Sequence, residues 1–104
     1  MATQHLGRAK YRAIRSGATI RLIAIGETRH FNDQTDFELL PFNIYPSMYA
    51  FYFIQADILM PAMRPFVYEE MIPFPLDPNS FRVQDADGFH DVPIIDIAVR
   101  GTKF

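Results

Sequence analysis

A chain of 104 residues with a formal net charge of −2 has room for one domain and one core. An apolar share of 49% with 14% aromatics lies far from the composition of disordered chains, so the sequence is expected to fold alone or with copies of itself. The absence of cysteine excludes disulfide scaffolds, zinc ribbons, thiolate catalysis and iron–sulfur clusters, and it fits a cytoplasmic location.

Charge is unevenly spread. Residues 1–26 carry Arg8, Lys10, Arg12, Arg15 and Arg21 and no acid, whereas the remainder holds twelve acids against five bases. A basic segment of this kind suits a solvated face, an arm on the acidic face of a neighbouring copy, or a nucleic-acid contact. The acidic remainder and a pI near 5.8 disfavour nucleic acid. No apolar run follows the basic, polar N-terminus, so it is not read as a signal peptide. Residues 1–8 are expected to be a flexible segment of a single 1–104 domain.

Residues 9–25 read as a hairpin turning at Ser16-Gly17, which would set Ala13 opposite Ile20 and Tyr11 opposite Leu22. That register also sets Arg12 opposite Arg21, a repulsive pair. A helix over the first half, capped by Thr3 and stopped by Gly17, is the alternative. Residues 27–36 are polar and non-periodic and predict a surface loop. An extended piece follows over 37–45, at an edge because Pro41 lacks an N–H.

The centre of the chain is Tyr45 to Met60, the longest stretch with almost no charge and the densest in aromatics. Tyr49, Phe51, Tyr52, Phe53 and Ile54 favour a strand over 48–57, buried on both faces. Periodicity alone does not separate it from a buried helix. The stretch is too interrupted by Pro46, Ser47 and Gln55 for a membrane span of ~20 apolar residues, and no membrane association is expected. Beyond it, prolines 61, 65, 73, 75 and 78 leave room only for short extended pieces. Strands are predicted over 66–72, 80–84 and 92–100, with a loop over 73–79 and a turn at Asp85-Ala86-Asp87-Gly88. The fold expected is mostly β: one small antiparallel sandwich, roll or barrel, with room for one short helix and an α+β arrangement as the alternative.

The turn Asp85 to Asp91 resembles half of a calcium loop but lacks a first ligand and a closing Glu. A hairpin turn with Gly88 at positive φ is the stronger reading. His30 and His90 stand among acids without metal-ligand spacing, and His5 falls in a terminus expected to fray. Glu69 and Glu70 point to opposite sides of a strand, which does not suit a catalytic carboxylate pair. Asp57 and Asp96 each interrupt an apolar run, so each is solvated, paired with Arg64, Arg82 or Arg100, or a polar contact in a cavity. No phosphate-binding glycine loop or nucleophile elbow is present. No cofactor is expected.

Eleven of the fifteen Phe and Tyr fall between Phe31 and Phe74. At ~150–250 Å² each, they exceed what a domain of this size readily encloses. The functional expectation is therefore a non-catalytic binding or assembly module. Its surface would comprise Phe42, Tyr45, Tyr49, Phe51, Tyr52, Phe53, Phe66, Tyr68 and Phe74, and self-association, most simply as a dimer, would be its use. The second expectation is a β-barrel or roll for a small apolar ligand, or a small enzyme. There Asp57, Glu69, Asp96, His30 or His90 would supply the polar contact.

Overall fold

The computed structural model describes residues 3–41, 47–56, 58, 60–76 and 78–96. Among them are eight strands and no helix: β1 (Thr3–Leu6), β2 (Lys10–Ser16), β3 (Thr19–Thr28), β4 (Gln34–Leu39), β5 (Met48–Gln55), β6 (Arg64–Pro73), β7 (Ser80–Asp85) and β8 (Gly88–Asp96). The architecture is mostly β, as the short runs between turn residues imply. No helix is long and apolar enough to cross a membrane.

All eight strands belong to one open, curled sheet, a half-barrel. β5 carries β4 along one edge. Its other edge is shared, with β1 against its second half (Leu6 opposite Tyr52) and β7 against its first (Met48 opposite Arg82). The order then runs β7, β8, β2, β3, β6. Most pairings are antiparallel; β5 with β7 and β2 with β8 are parallel. The end strands β4 and β6 face each other across a seam closed by side chains. There the Tyr68 hydroxyl lies 3.2 Å from Asp36 Oδ1, and Arg64 Nη2 donates to the Asp33 carbonyl at 2.6 Å.

The β2–β3 hairpin forms, in a register two residues from the one expected. Ala13 faces Leu22 and Arg15 faces Ile20, and the loop is Gly17-Ala18 between paired Ser16 and Thr19. Gly17 takes φ 62° and Ala18 does not share the positive sign, the pattern of a loop with glycine at its first position. A shift by two keeps every side chain on its expected face. It also moves Arg12 away from Arg21 and onto Ile23, which removes the like-charge contact.

Two further expectations change. The loop predicted over 27–36 shortens to 29–33, because β3 and β6 stay paired out to Thr28 opposite Arg64. The terminal residues expected to be flexible include β1, a polar strand that exists because β5 offers it a free edge. Of the last predicted strand, residues 88–96 form β8 and the remainder lies outside the described residues.

The core lies on the inner face. Ile20, Leu22, Phe51, Phe81 and Val83 are fully buried, and Phe37, Phe66, Ile72, Phe74 and Val92 pack with them. Each such side chain contributes about 1.5–3 kcal/mol by leaving water. Gly7 is required by close packing: a Cβ there would sit 2.9 Å from the Phe53 ring and 3.0 Å from that of Phe51.

Candidate functional site

Three segments converge at one end of the half-barrel. Pairing of β1 with β5 sets His5 opposite Phe53, and their rings meet edge to face at 5.9 Å. The chain after β1 is stitched down at Gly7, whose N–H donates to the Phe51 carbonyl while its own carbonyl accepts from Ala86 N–H, each at 2.9 Å. That brings Arg8 beside the β7–β8 turn, where its Nε donates to Asp87 Oδ1 at 2.8 Å. This hydrogen bond, more than the charge alone, raises the Arg8 pKa further above its already high value.

The third segment is the 29–33 loop, and it is held from several sides. The Thr28 hydroxyl donates to the His30 carbonyl at 3.0 Å, and Asp33 N–H donates to the same carbonyl at 3.1 Å. Asn32 Nδ2 donates to the Ile58 carbonyl at 2.7 Å, and Phe31 N–H to that of Met60 at 2.7 Å. So anchored, the loop presents His30 Nδ1 to Asp33 Oδ2 at 3.3 Å. A carboxylate only accepts, so this contact needs the proton on Nδ1. Asp33 is 2% exposed, and its second oxygen, Oδ1, has no hydrogen-bond partner.

Between these segments lies a cavity of about 230 Å³, lined by His5, Arg8, Arg29, His30, Asp33, Phe53 and Gln55. At ~30 Å³ per water it holds the equivalent of roughly eight waters. It adjoins a wider, open cleft of about 740 Å³ that shares Arg8, Arg29 and Phe53 and adds Ile25, Met63 and Pro65. The inner chamber offers two guanidinium groups, two imidazoles, an amide, the Asp33 carboxylate and a ring face; the outer cleft adds apolar wall together with Lys10, Glu27 and Asp87. Its lining holds no hydroxyl or thiol nucleophile. Among the described residues no group of three or more His, Asp or Glu side chains could hold a metal ion.

The residues singled out from sequence are dispersed. Phe42, Tyr45 and Asp57 lie outside the described residues. Phe51, Phe66 and Phe74 are core, so they hold the sheet together and present no surface. Tyr49 is half-buried and stacks on Phe81 at 5.1 Å, Tyr52 is half-buried on the opposite face of β5, and Tyr68 bridges the seam. Of these rings and polar candidates, Phe53 and His30 line the cavity, where Arg8 of the basic segment joins them. His90 instead faces Asp85, so the two histidines serve different aspartates. Glu69 is exposed on β6, and Asp96 is exposed at the end of β8.

The five basic residues also separate. Arg8 borders the cavity, Lys10, Arg12 and Arg21 are exposed on the outer face of the sheet, and Arg15 is buried. Arg15 donates through Nη1 to the Pro75 carbonyl at 2.8 Å and through Nη2 to that of Pro78, pinning the proline loop. Arg64 donates to the Asp33 carbonyl, and Arg82 pairs with Asp91. The calcium-like turn closes as a hairpin, with Gly88 at φ 119° and Asp85 accepting from Asp87 N–H at 2.8 Å.

Sequence reasoning passed over Asp33, Arg29, Gln55 and the placement of His5. One local signal was available: His30 and Asp33 stand three apart in a polar loop, within reach of each other around a turn. No known family model, curated protein or solved structure matches this chain.

Proposed function

We propose that the protein binds a small anionic ligand, its charged end in the inner chamber and an apolar part in the adjoining cleft. The observation that carries this reading is the lining: Arg8 and Arg29 flank a ring floor, beside a His30–Asp33 pair held by a pinned loop. Guanidinium groups donate in a fixed fork that matches carboxylate and phosphate oxygens. Arg8 is pre-oriented by Asp87, which lowers the entropy lost when a ligand is gripped. Ile25, Met63 and Pro65 provide the apolar continuation.

The reading favours recognition over catalysis, since the chamber brings no nucleophile. It differs from an aromatic docking surface, of whose rings Phe51, Phe66 and Phe74 are buried while Tyr49, Tyr52, Phe53 and Tyr68 are half-buried. Phenyl phosphate and benzoate are suitable probes, followed by calorimetry and amide chemical shifts. Binding should move the resonances of Arg29, His30 and Phe53, and Arg29→Ala should weaken it roughly tenfold or more. Absence of shifts at millimolar probe, or equal affinity in the Arg29 variant, would remove the proposal.

A further inference from the structure

Strand register draws charged and apolar rows across the outer face of β2, β3 and β6. Lys10, Ile25 and Val67 form one row, and Arg12, Ile23 and Glu69 form the next. Directly opposed residues share a side of the sheet. The opposite side of these strands is the core, so both rows face outward. Val67 is 67% exposed, and Met71, one row further, is 56% exposed. Apolar side chains so placed on adjacent strands form a patch of the kind that marks an interaction surface.

The charges on this face are ordered. Arg12 stands at the β2 end of its row and Glu69 at the β6 end; both are exposed, and neither is paired with another described side chain. We propose that this face joins two copies of the chain about a two-fold axis running along β3. A half-turn about that line lays β2 of one copy over β6 of the other and keeps the rows in step. Arg12 then meets the partner's Glu69, and Glu69 meets the partner's Arg12. Ile23 and Ile25 meet their own copies on the axis, the self-complementary arrangement of an isologous contact. Arg21 also lies on the axis and so faces the partner's Arg21, a like-charge contact that the partner's Glu69, one row away and within reach of its long side chain, offsets.

A foreign partner would have to reproduce this charge order; a second copy already carries it. Three strands ~4.8 Å apart and about nine residues long span roughly 14 × 30 Å. That is about half of the ~800 Å² per partner of a standard interface, in the range of weak, concentration-dependent association.

Light scattering on the full chain across a concentration series tests the geometry. The native protein should be a dimer. Arg12→Glu and Glu69→Arg should each weaken it roughly a hundredfold by setting like charges face to face. Mixing the two monomeric variants should restore a dimer, since each then faces its complement at both contacts, and the double variant should dimerise with itself. Val67→Glu, at an exposed position, gives a second break, and circular dichroism of each variant confirms the native sheet. A native monomer at high concentration, an assembly beyond two, indifference to all three substitutions, or mixed variants that stay monomeric would each overturn the proposal.

Discussion

Asp33 and Asp85 are buried to the same 2%, and each faces a histidine, yet their surroundings differ in one decisive respect. Asp85 has every acceptor in use: Oδ2 takes the Tyr11 hydroxyl at 2.6 Å, and Oδ1 takes His90 Nε2 at 2.9 Å and Asp87 N–H at 2.8 Å. Asp33 has one contact at 3.3 Å and an oxygen with none. Burial of a carboxylate is tolerated when it is hydrogen-bonded and costly when it is not. The first aspartate therefore ties β2 to the β7–β8 hairpin. The second has an oxygen that no protein group satisfies, beside a chamber wide enough for water or a ligand to do so.

The largest expected effect follows from the saturated member. Asp85→Ala strands the Tyr11 hydroxyl and the His90 ring nitrogen and opens the turn, which should cost about 3–5 kcal/mol. Denaturant unfolding measures it. A loss below about 1 kcal/mol would show that the two aspartates are not different in kind. Next comes Tyr11→Phe, which leaves one Asp85 oxygen unpaired and should cost about 1–3 kcal/mol.

The same contact sets behaviour in alkali. Burial first, then the hydrogen bond to Asp85, pushes the Tyr11 pKa well above the ordinary value near 10. Burial likewise raises Tyr68, with Glu70 and Asp36 adding to it, and Tyr49. A raised folded-state pKa means that the neutral phenol is favoured by folding. The corresponding stability is complete below about pH 10 and drains as pH climbs through the raised values. A spectrophotometric titration should find fewer than five phenolates forming near pH 10, the rest appearing together as the chain unfolds. Independent titration of all five tyrosines in a folded chain would contradict the assignment.

How much of this was legible in the sequence depended on the range of the interaction. The hairpin at Gly17, the strand at Met48–Gln55 and the turn before Gly88 follow from local turn chemistry and β-branched or aromatic runs, and they were readable. The register of β2 on β3 was misjudged by two residues because a two-residue loop can begin at Ser16 or Gly17, and only the glycine accepts φ 62°. β1 was not readable, since Thr3–Leu6 has no apolar alternation and borrows its shape from β5. The cavity was the least legible. Its lining comes from residues 5, 8, 29, 30, 33, 53 and 55, and proximity of that span is a property of the curled sheet. Excess of rings over interior singles out Phe53 and Phe51 alike, although Phe53 lines the chamber and Phe51, one full side-chain period away, is fully buried.

The smallest effect on stability sharpens the comparison from the other side. Asp33→Asn keeps the shape of the side chain, removes the buried charge that has only one contact, and lets an amide face His30. Folding stability should change by less than about 1 kcal/mol, because the hydrogen bond lost is long and the desolvation cost of the charge goes with it. Affinity for phenyl phosphate should rise several-fold, since one negative charge leaves a chamber whose arginines remain. The pairing of unchanged stability with tighter anion binding is what separates a site residue from a structural one. If Asp33→Asn instead destabilised the fold as strongly as Asp85→Ala, Asp33 would be a strut of the 29–33 loop. The chamber would then be a packing void and not a place built to hold an anion.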